Sequence, residues 1–204
     1  MESETLNLPV LALRGLTVFP HTNLTFDVER HISMKALEVA METGQEIFLV
    51  TQREINVEKP TEQDLYAIGT ISRVTQILRL GQNSLRVMVE GGRRARLKRL
   101  WQLEPYLQGQ VETAEEPESV NHGPKTEALL RQTWSLFQDY AQLAGNVAEE
   151  VIAAALDCQE PGDLADYERT TVTDQFYGTI FSASGVRWVA PDRIDTYIPA
   201  DGVK

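Results

Sequence analysis

The sequence predicts an α+β protein in which a closed or nearly closed β-lobe with one helix is followed by a helical lobe. Residues 65–103 are rich in Val, Ile, Leu and Thr, and turn residues divide them at Gly81–Ser84 and at Gly91-Gly92. Short β-rich runs separated by Gly and Asn are typical of antiparallel strands joined by tight turns. Beyond residue 125 the apolar residues change to helical spacing. The two patterns indicate two kinds of lobe in one chain.

The stretch 65–103 is the centre of the predicted β-lobe. Leu85, Val87 and Val89 alternate with the charged residues Arg86 and Glu90. Because successive side chains of a strand point to opposite faces, this spacing predicts one buried and one solvated face. Three such strands make a meander, and its apolar face needs a partner surface.

The residues before this meander supply that partner. The predicted elements are two strands in 8–20 bent at Gly15, a strand at 24–28, a helix at Ser33–Thr43, a strand at 47–50 and a loop at 56–64. Met34 and Met41 of the helix are expected to fill the core rather than to form a ligand-binding patch. Residues 6–112 are therefore expected to hold about seven strands and one helix.

A helical lobe is predicted from residue 125 to residue 167. Its first helix has an apolar stripe stepping by three and four residues: Leu130, Trp134, Phe137, Ala141 and Ala144, widened by Leu129, Leu136, Tyr140 and Leu143. Gly145-Asn146 ends this helix, and Val147–Asp157 is predicted to form a second one. The pair is expected to pack as a helical hairpin, with the aromatic residues serving as core.

The chain is predicted to divide into a β-rich lobe at 1–112, an acidic linker at 113–124, a helical lobe at 125–167 and a tail at 168–204 rich in Thr, Ser and Tyr. Four glutamates and two prolines between 112 and 124 favour a solvated hinge. Limited proteolysis is expected to cut first between Glu112 and Lys125 and to release a folded β-lobe.

Composition favours a soluble, cytoplasmic protein. The formal net charge is −11, which disfavours nonspecific binding to nucleic acid or to an anionic membrane. Cys158 is the only cysteine, so no disulfide can form within the chain, as is usual in a reducing compartment. No signal peptide or transmembrane segment is predicted.

No catalytic residue, metal site or cofactor is predicted. The chain contains no Gly-x-x-x-x-Gly-Lys-[Ser/Thr] phosphate loop, and Ser182 and Ser184 do not form Gly-x-Ser-x-Gly. His21, His31 and His122 are isolated from one another and from cysteine, so no zinc site is indicated.

One basic cluster stands out. It comprises Arg93, Arg94, Arg96, Lys98 and Arg99. The rest of the chain carries −16, since −11 minus 5 is −16, and no aromatic residue is interleaved for base stacking. A solvated strand face, or pairing with the acidic residues 112–118, is favoured over an RNA-binding role.

Several spaced motifs occur in order along the chain: Leu8-Pro-x-Leu-x-Leu-Arg-Gly-x-x-Val-Phe-Pro20, Ala36-Leu-Glu-x-Ala-Met41, Gly69-Thr, Gln76-x-Leu-x-Leu80, Val87-x-Val-Glu-Gly91 and Pro161-Gly-x-Leu-Ala-Asp166. Together they resemble the N-terminal domain of bacterial Lon, the ATP-dependent AAA+ serine protease. The resemblance covers residues 6–167, and the tail departs from it. It implies a PUA-like pseudo-barrel and a helical lobe without catalytic residues. It also implies binding of unfolded or degron-bearing protein substrates and assembly with other subunits into a hexamer.

Recognition of an unfolded protein requires apolar side chains left exposed on a rigid scaffold. The candidates in the sequence are Phe19, Pro20 and Leu24, which flank the polar turn at residues 21–23. The alternative for each is an ordinary place in the core. Two other functions stay open: a stand-alone Lon-domain adaptor that binds a folded protein or peptide, and, more weakly, an RNA-binding PUA-like domain.

Overall fold

The computed structural model describes residues 4–81, 83–114, 123–145 and 147–171, and the pairs 186–187 and 198–199. Residues 1–116 and 117–204 form two compact units. The predicted linker at 113–124 falls mainly on residues 115–122, which lie outside the described residues, so the hinge stays a prediction.

The first unit contains six strands and one α-helix among its described residues. They are β1 (Thr5–Leu13), β2 (Asn23–Val28), α1 (His31–Glu42), β3 (Glu46–Thr51), β4 (Ile68–Arg79), β5 (Leu85–Gln102) and β6 (Leu107–Thr113), with a 3₁₀ turn at Glu62–Asp64. The α+β class is confirmed, as are the helix and the strands predicted near residues 24–28 and 47–50.

The sheet closes on itself through β5. The strand order is β2-β5-β4-β3-β1-β6, and β6 also pairs with β5. β5, β4, β3, β1 and β6 therefore form a ring. Within the described part of the chain, β2 pairs with β5 alone and forms an edge. β1 runs parallel to β3, and the other neighbours in the ring are antiparallel. The result is the predicted pseudo-barrel.

Two apolar cores lie on opposite faces of β1 and β3. Leu11 and Leu49 belong to a core that includes the buried face of α1, which we call the helix-side core. Val10 and Phe48, their neighbours in the chain, belong to the other core, which we call the barrel core. Strands that are buried on both faces have near-continuous apolar sequences, and this explains the uninterrupted runs in β1 and β3.

The glycine pair in β5 does not make the predicted turn. β5 continues through it, and the pairing with β4 shifts register there because Ser72 pairs with Gly91 while Ile71 pairs with Arg93. Gly92 is the extra residue of this β-bulge. A side chain at Gly91 would overlap the Phe19 carbonyl oxygen, so glycine is required for close backbone approach rather than for chain reversal.

Two predictions for the first unit were wrong. The residues after Leu13 do not form a second strand, and the two strands predicted on either side of Gly91-Gly92 are one strand, β5. β6 was not predicted, so the described residues of the unit hold six strands rather than about seven. Met41, which was predicted to fill the core, is exposed, whereas Met34 packs against the helix-side core. The predicted alternation in the meander is confirmed, since Leu85, Val87 and Val89 are buried.

The second unit contains three described helices. They are α2 (Pro124–Ala144), α3 (Glu149–Asp157) and α4 (Pro161–Thr171). Phe137 is fully buried, Leu130 and Ala141 are nearly so, and Cys158 is half-buried beside them, which confirms the core role of the apolar stripe. The prediction was wrong for Leu143, which is exposed. The predicted hairpin has two helices, whereas the structure adds α4 as a third.

Most of the tail lies outside the described residues. The first four of its residues extend α4, and two short strands pair with each other, β7 (Val186–Arg187) and β8 (Ile198–Pro199).

Candidate functional site

The three predicted binding residues lie at the start of β2 and in the turn before it. Pro20 is buried, and Phe19 and Leu24 are half-buried. Leu24 packs against the helix-side core and pairs with Val89 of β5. Pro20 thus has little exposed surface. A binding role for Phe19, Pro20 and Leu24 stays a prediction.

The turn that carries these residues is held closely by its neighbours. The Thr22 hydroxyl donates to the Phe19 carbonyl at 2.7 Å, and the Thr70 hydroxyl donates to the Val18 carbonyl at 2.6 Å. The backbone N–H of His21 donates to the Gly91 carbonyl, and the Gly91 N–H donates to the Thr22 carbonyl, both at 2.8 Å. This turn is part of the rigid framework, and it fixes where β2 begins.

The β-hairpin of β4 and β5 carries three exposed apolar residues that the prediction of binding residues missed. Leu78 and Leu80 are about half exposed, at 49% and 51%, and Met88 is 41% exposed. Leu78 pairs with Arg86, and Met88 lies two residues further along β5 on the same face, so the two apolar side chains are diagonal neighbours. Leu80 follows Leu78 at period two. We call these three residues the hairpin patch.

The opposite face of the hairpin is buried along β5. Val87 and Val89 are fully buried in the helix-side core, together with Leu37 of α1. The hairpin patch therefore lies on a scaffold whose backbone is paired within the sheet and whose other face is packed. Large apolar side chains that remain exposed on such a scaffold are available for a partner.

A charge pair borders the hairpin patch. Arg86 donates from Nε to Oδ1 of Asp27 at 2.7 Å and from a terminal nitrogen to Oδ2 at 2.9 Å, a bidentate contact between β5 and β2. The hydrogen bonds from Arg86 lower the pKa of the Asp27 carboxyl. The pair is exposed, so its main effect is to fix side-chain geometry beside Leu78 and Met88.

The sequence did contain a signal for this surface. Met88 stands between Arg86 and Glu90, at the alternation that should be polar. An apolar residue at a position that the alternation assigns to the solvated face indicates an exposed apolar surface. Leu78 and Leu80 belong to the motif Gln76-x-Leu-x-Leu80.

A groove of about 330 Å³ lies beside β2, in the first unit. Its lining is partly apolar and partly charged, and consists of Leu11–Arg14 and Leu16 on one side with Phe26–Arg30 and Ser33 on the other. Arg30 donates to the Ala12 carbonyl and to Oε1 of Gln52, the latter at 2.7 Å. Burial and the nearby Arg14 lower the pKa of Arg30. This arginine is a structural tie between β1 and the residues after β3.

The basic cluster makes ion pairs within the chain. Arg93 lies 3.0 Å from Glu4, and Lys98 lies 2.9 Å from Glu112. These contacts agree with the interpretation that favoured intramolecular pairing over RNA binding. Among the residues that the structure describes, no group of three or more His, Cys, Asp or Glu side chains could hold a metal ion. None of the helices in this part of the chain is both long and apolar enough to cross a membrane.

The amino-acid sequence is similar to those of known proteins. Residues 7–170 match the family model described as the ATP-dependent protease La (LON) substrate-binding domain. The chain is 39% identical over 166 residues to Lon protease of Desulforamulus reducens, which covers 81% of this chain and 20% of that protein. It is 36% identical over 160 residues to Lon protease 1 of Bacillus subtilis, covering 78% of this chain and 20% of that protein. The chain thus spans about a fifth of the length of these relatives.

A solved structure has the same fold. The N-terminal domain of Mycobacterium avium complex Lon protease matches with a TM-score of 0.66 at 18% identity, over 94% of this chain and 92% of that one. A Lon N-terminal domain protein from Xanthomonas campestris matches with a TM-score of 0.51 at 17% identity, over 82% of this chain and 99% of that one. Together with the family match, these findings lead to one conclusion: the chain belongs to the Lon substrate-binding domain family.

Proposed function

We propose that this chain is the non-catalytic recognition domain of an ATP-dependent Lon-type protease, and that it binds unfolded or degron-bearing proteins through the hairpin patch. The observation that carries the proposal is the exposure of Leu78, Leu80 and Met88 on a hairpin whose other face packs into the helix-side core through Val87 and Val89. Exposed apolar segments distinguish an unfolded protein from a native one, and an apolar surface is the chemistry that recognises them.

The scaffold favours binding because it is already ordered. The β4–β5 ladder runs from the pair Ile68 and Arg96 to the pair Arg79 and Leu85. Val87 and Val89 on its inner face pack in the helix-side core. Little conformational entropy is lost when such a surface binds a ligand, so more of the apolar contact contributes to affinity.

The family match supports further proposals about the protease, its assembly and its location. We place the ATPase and protease chemistry in a part of the protein that does not correspond to this chain, because the matched relatives are about five times longer. We also propose assembly with other Lon subunits into a hexamer, a role in protein quality control, and a cytoplasmic location. No cofactor is assigned to this chain.

The test is binding of a fluorescein-labelled protein that is reduced and carboxymethylated so that it stays unfolded, measured by fluorescence anisotropy. The chain is expected to bind this probe and not its native, disulfide-bonded form. Replacing Leu78→Ser and Met88→Ser together should weaken binding at least tenfold, because two of the three apolar side chains of the patch are lost.

The matched control is Leu103→Ser. Leu103 is 45% exposed, close to the values for Leu78 and Met88, and it lies just beyond the other end of β5. This variant should bind within twofold of the parent chain. Equal binding of the native and unfolded probes, or an equal loss in the patch variant and the control, would overturn the assignment of the patch.

A further inference from the structure

The strand beside the hairpin patch, β2, lies at the edge of the sheet. Among the residues that the structure describes, it pairs with β5 alone. An edge strand presents unpaired N–H and C=O groups, which can form hydrogen bonds with another extended chain.

The pairing shows which groups of β2 are unused. In an antiparallel ladder the residues of a strand turn their N–H and C=O alternately to one side and to the other. Gly91 bonds toward the start of β2, whereas the carbonyl of Ser84, just before β5, accepts from Leu80 at the end of β4. Odd-numbered residues in this half of β5 therefore face β2.

The same alternation assigns the residues of β2. Leu24 and Phe26 stand opposite the odd-numbered Val89 and Val87, so their backbone groups bond to β5. The N–H and C=O groups of Thr25 and Asp27 then point to the open side. No hydrogen bond to these four backbone groups from outside the sheet occurs among the described residues.

The nearby end of β1 is treated differently. β6 pairs with β1 only as far as Val10, so β1 is also open on this side beyond that point. There the Arg30 side chain occupies the Ala12 carbonyl. β1 is thus capped by a side chain of the protein itself, while β2 has no such cap.

Space is present on the open side of β2. The 330 Å³ groove lies along Phe26–Val28, and half-buried Leu16 and Phe26 add apolar surface to it. An added strand at this edge would lie about 4.8 Å from β2. Because side chains alternate between the two faces of a strand, every second side chain of the added strand would face the groove.

We propose that the open edge of β2 takes up an extended segment of an unfolded polypeptide as an added β-strand, with backbone hydrogen bonds to Thr25 and Asp27 and an apolar side chain in the groove. This inference rests on the proposed function, because it states how the bound polypeptide is held. Backbone bonding is independent of sequence, so one edge accepts many substrates, while the apolar side chains supply preference.

The occupant is an unfolded polypeptide rather than a second copy of this chain. A folded partner would need an unpaired strand of its own, whereas an unfolded chain offers free backbone groups along its whole length. A net charge of −11 on each molecule opposes pairing between two copies.

The first test replaces Thr25→Pro. Proline removes the N–H of Thr25, which with that of Asp27 faces the open side, and leaves the bonds of Leu24 and Phe26 to β5 in place. Edge strands tolerate proline at such a position. Binding of the unfolded probe should fall at least tenfold. The control is Ile55→Pro, at the second position of an exposed turn closed by the Val57 N–H to the Glu54 carbonyl, where proline is favoured. It should bind within twofold.

The second test leaves the protein unaltered, so it does not depend on the folding of a variant. A labelled ten-residue apolar peptide is compared with the same peptide N-methylated at every backbone nitrogen. Strand addition predicts that the methylated peptide loses at least tenfold in affinity, since it cannot donate hydrogen bonds. Equal affinity of the two peptides would overturn strand addition.

The outcomes separate the two proposals. If the unfolded probe does not bind the parent chain, the proposed function fails. If the probe binds, the patch variant weakens it, and the methylated peptide binds equally, only strand addition fails. Dimers seen by sedimentation that disappear in the Thr25→Pro variant, without loss of peptide binding, would assign the edge to a second copy and overturn the proposal.

Discussion

β1 and β2 differ in nearly every respect that determines stability, although only nine residues separate them. β1 has a strand on each side and a core on each face. In the part of the chain that the structure describes, β2 has one neighbouring strand, one packed face and an edge that no other strand covers. The packing that stabilises this unit is therefore concentrated in the centre of the ring. Backbone groups that can still form hydrogen bonds lie at the edge, next to the hairpin patch.

The largest expected effect is on stability in β1. Leu11 is 2% exposed and Leu24 in β2 is only half-buried, yet both pack in the helix-side core. Leu11→Ala should lower the free energy of unfolding by about 2–5 kcal/mol, because it leaves a cavity that the ring cannot close. Leu24→Ala should cost about half as much. Urea denaturation measures both, and equal losses would show that β1 and β2 are packed alike.

The next effect concerns the point where β2 joins β5. Gly91→Ala should destabilise the protein by about 1–3 kcal/mol, since the added methyl group meets the Phe19 carbonyl oxygen. Gly81→Ala is the control, because nothing lies near the position of its added methyl group, and its change should stay within about 0.5 kcal/mol. Similar values for the two variants in thermal unfolding would contradict the close approach at Gly91.

The smallest effect is the pH dependence of the charge pair between β2 and β5. Arg86 lowers the pKa of Asp27 in the folded protein, so the pair stabilises the fold above the unfolded value of about 3.9. This contribution disappears as pH falls through the lower, folded value. Asp27→Asn should therefore show a smaller decrease in Tm than the parent between pH 5 and pH 2.

Salt provides the control for that measurement. The pair is exposed and is screened at an ionic strength of 1 M, where the Debye length is about 3 Å. The difference between the parent and Asp27→Asn should shrink there. A difference that is unchanged by salt would assign the pH effect to another cause.

The sequence was sufficient where a single local pattern decides the structure. Alternation at residues 85–89 placed one face of β5 in the core, and helical spacing placed Phe137 in the core of the second unit. The family motifs also identified the domain. The two buried faces depend on the periodicity of apolar residues. Periodicity can be recognised in the sequence without knowing which distant strands pair.

The sequence failed where distant residues decide the structure. Gly91-Gly92 looks like a turn, but the approach of Phe19, more than 70 residues earlier, makes it a bulge inside a long strand. The exposure of Met88 and the open edge of β2 depend on how the ring closes, which is a property of the whole sheet. Local propensity contains no information about either.

The most direct test of the account is amide hydrogen exchange along β2, measured by NMR on the unaltered chain with and without saturating unfolded probe. We predict that the amides of Thr25 and Asp27 exchange at least tenfold more slowly when the probe is bound. The amides of Leu24 and Phe26, already bonded to β5, should change much less. Unchanged exchange at Thr25 and Asp27 while anisotropy shows the probe bound would contradict the claim that β2 is completed by the substrate.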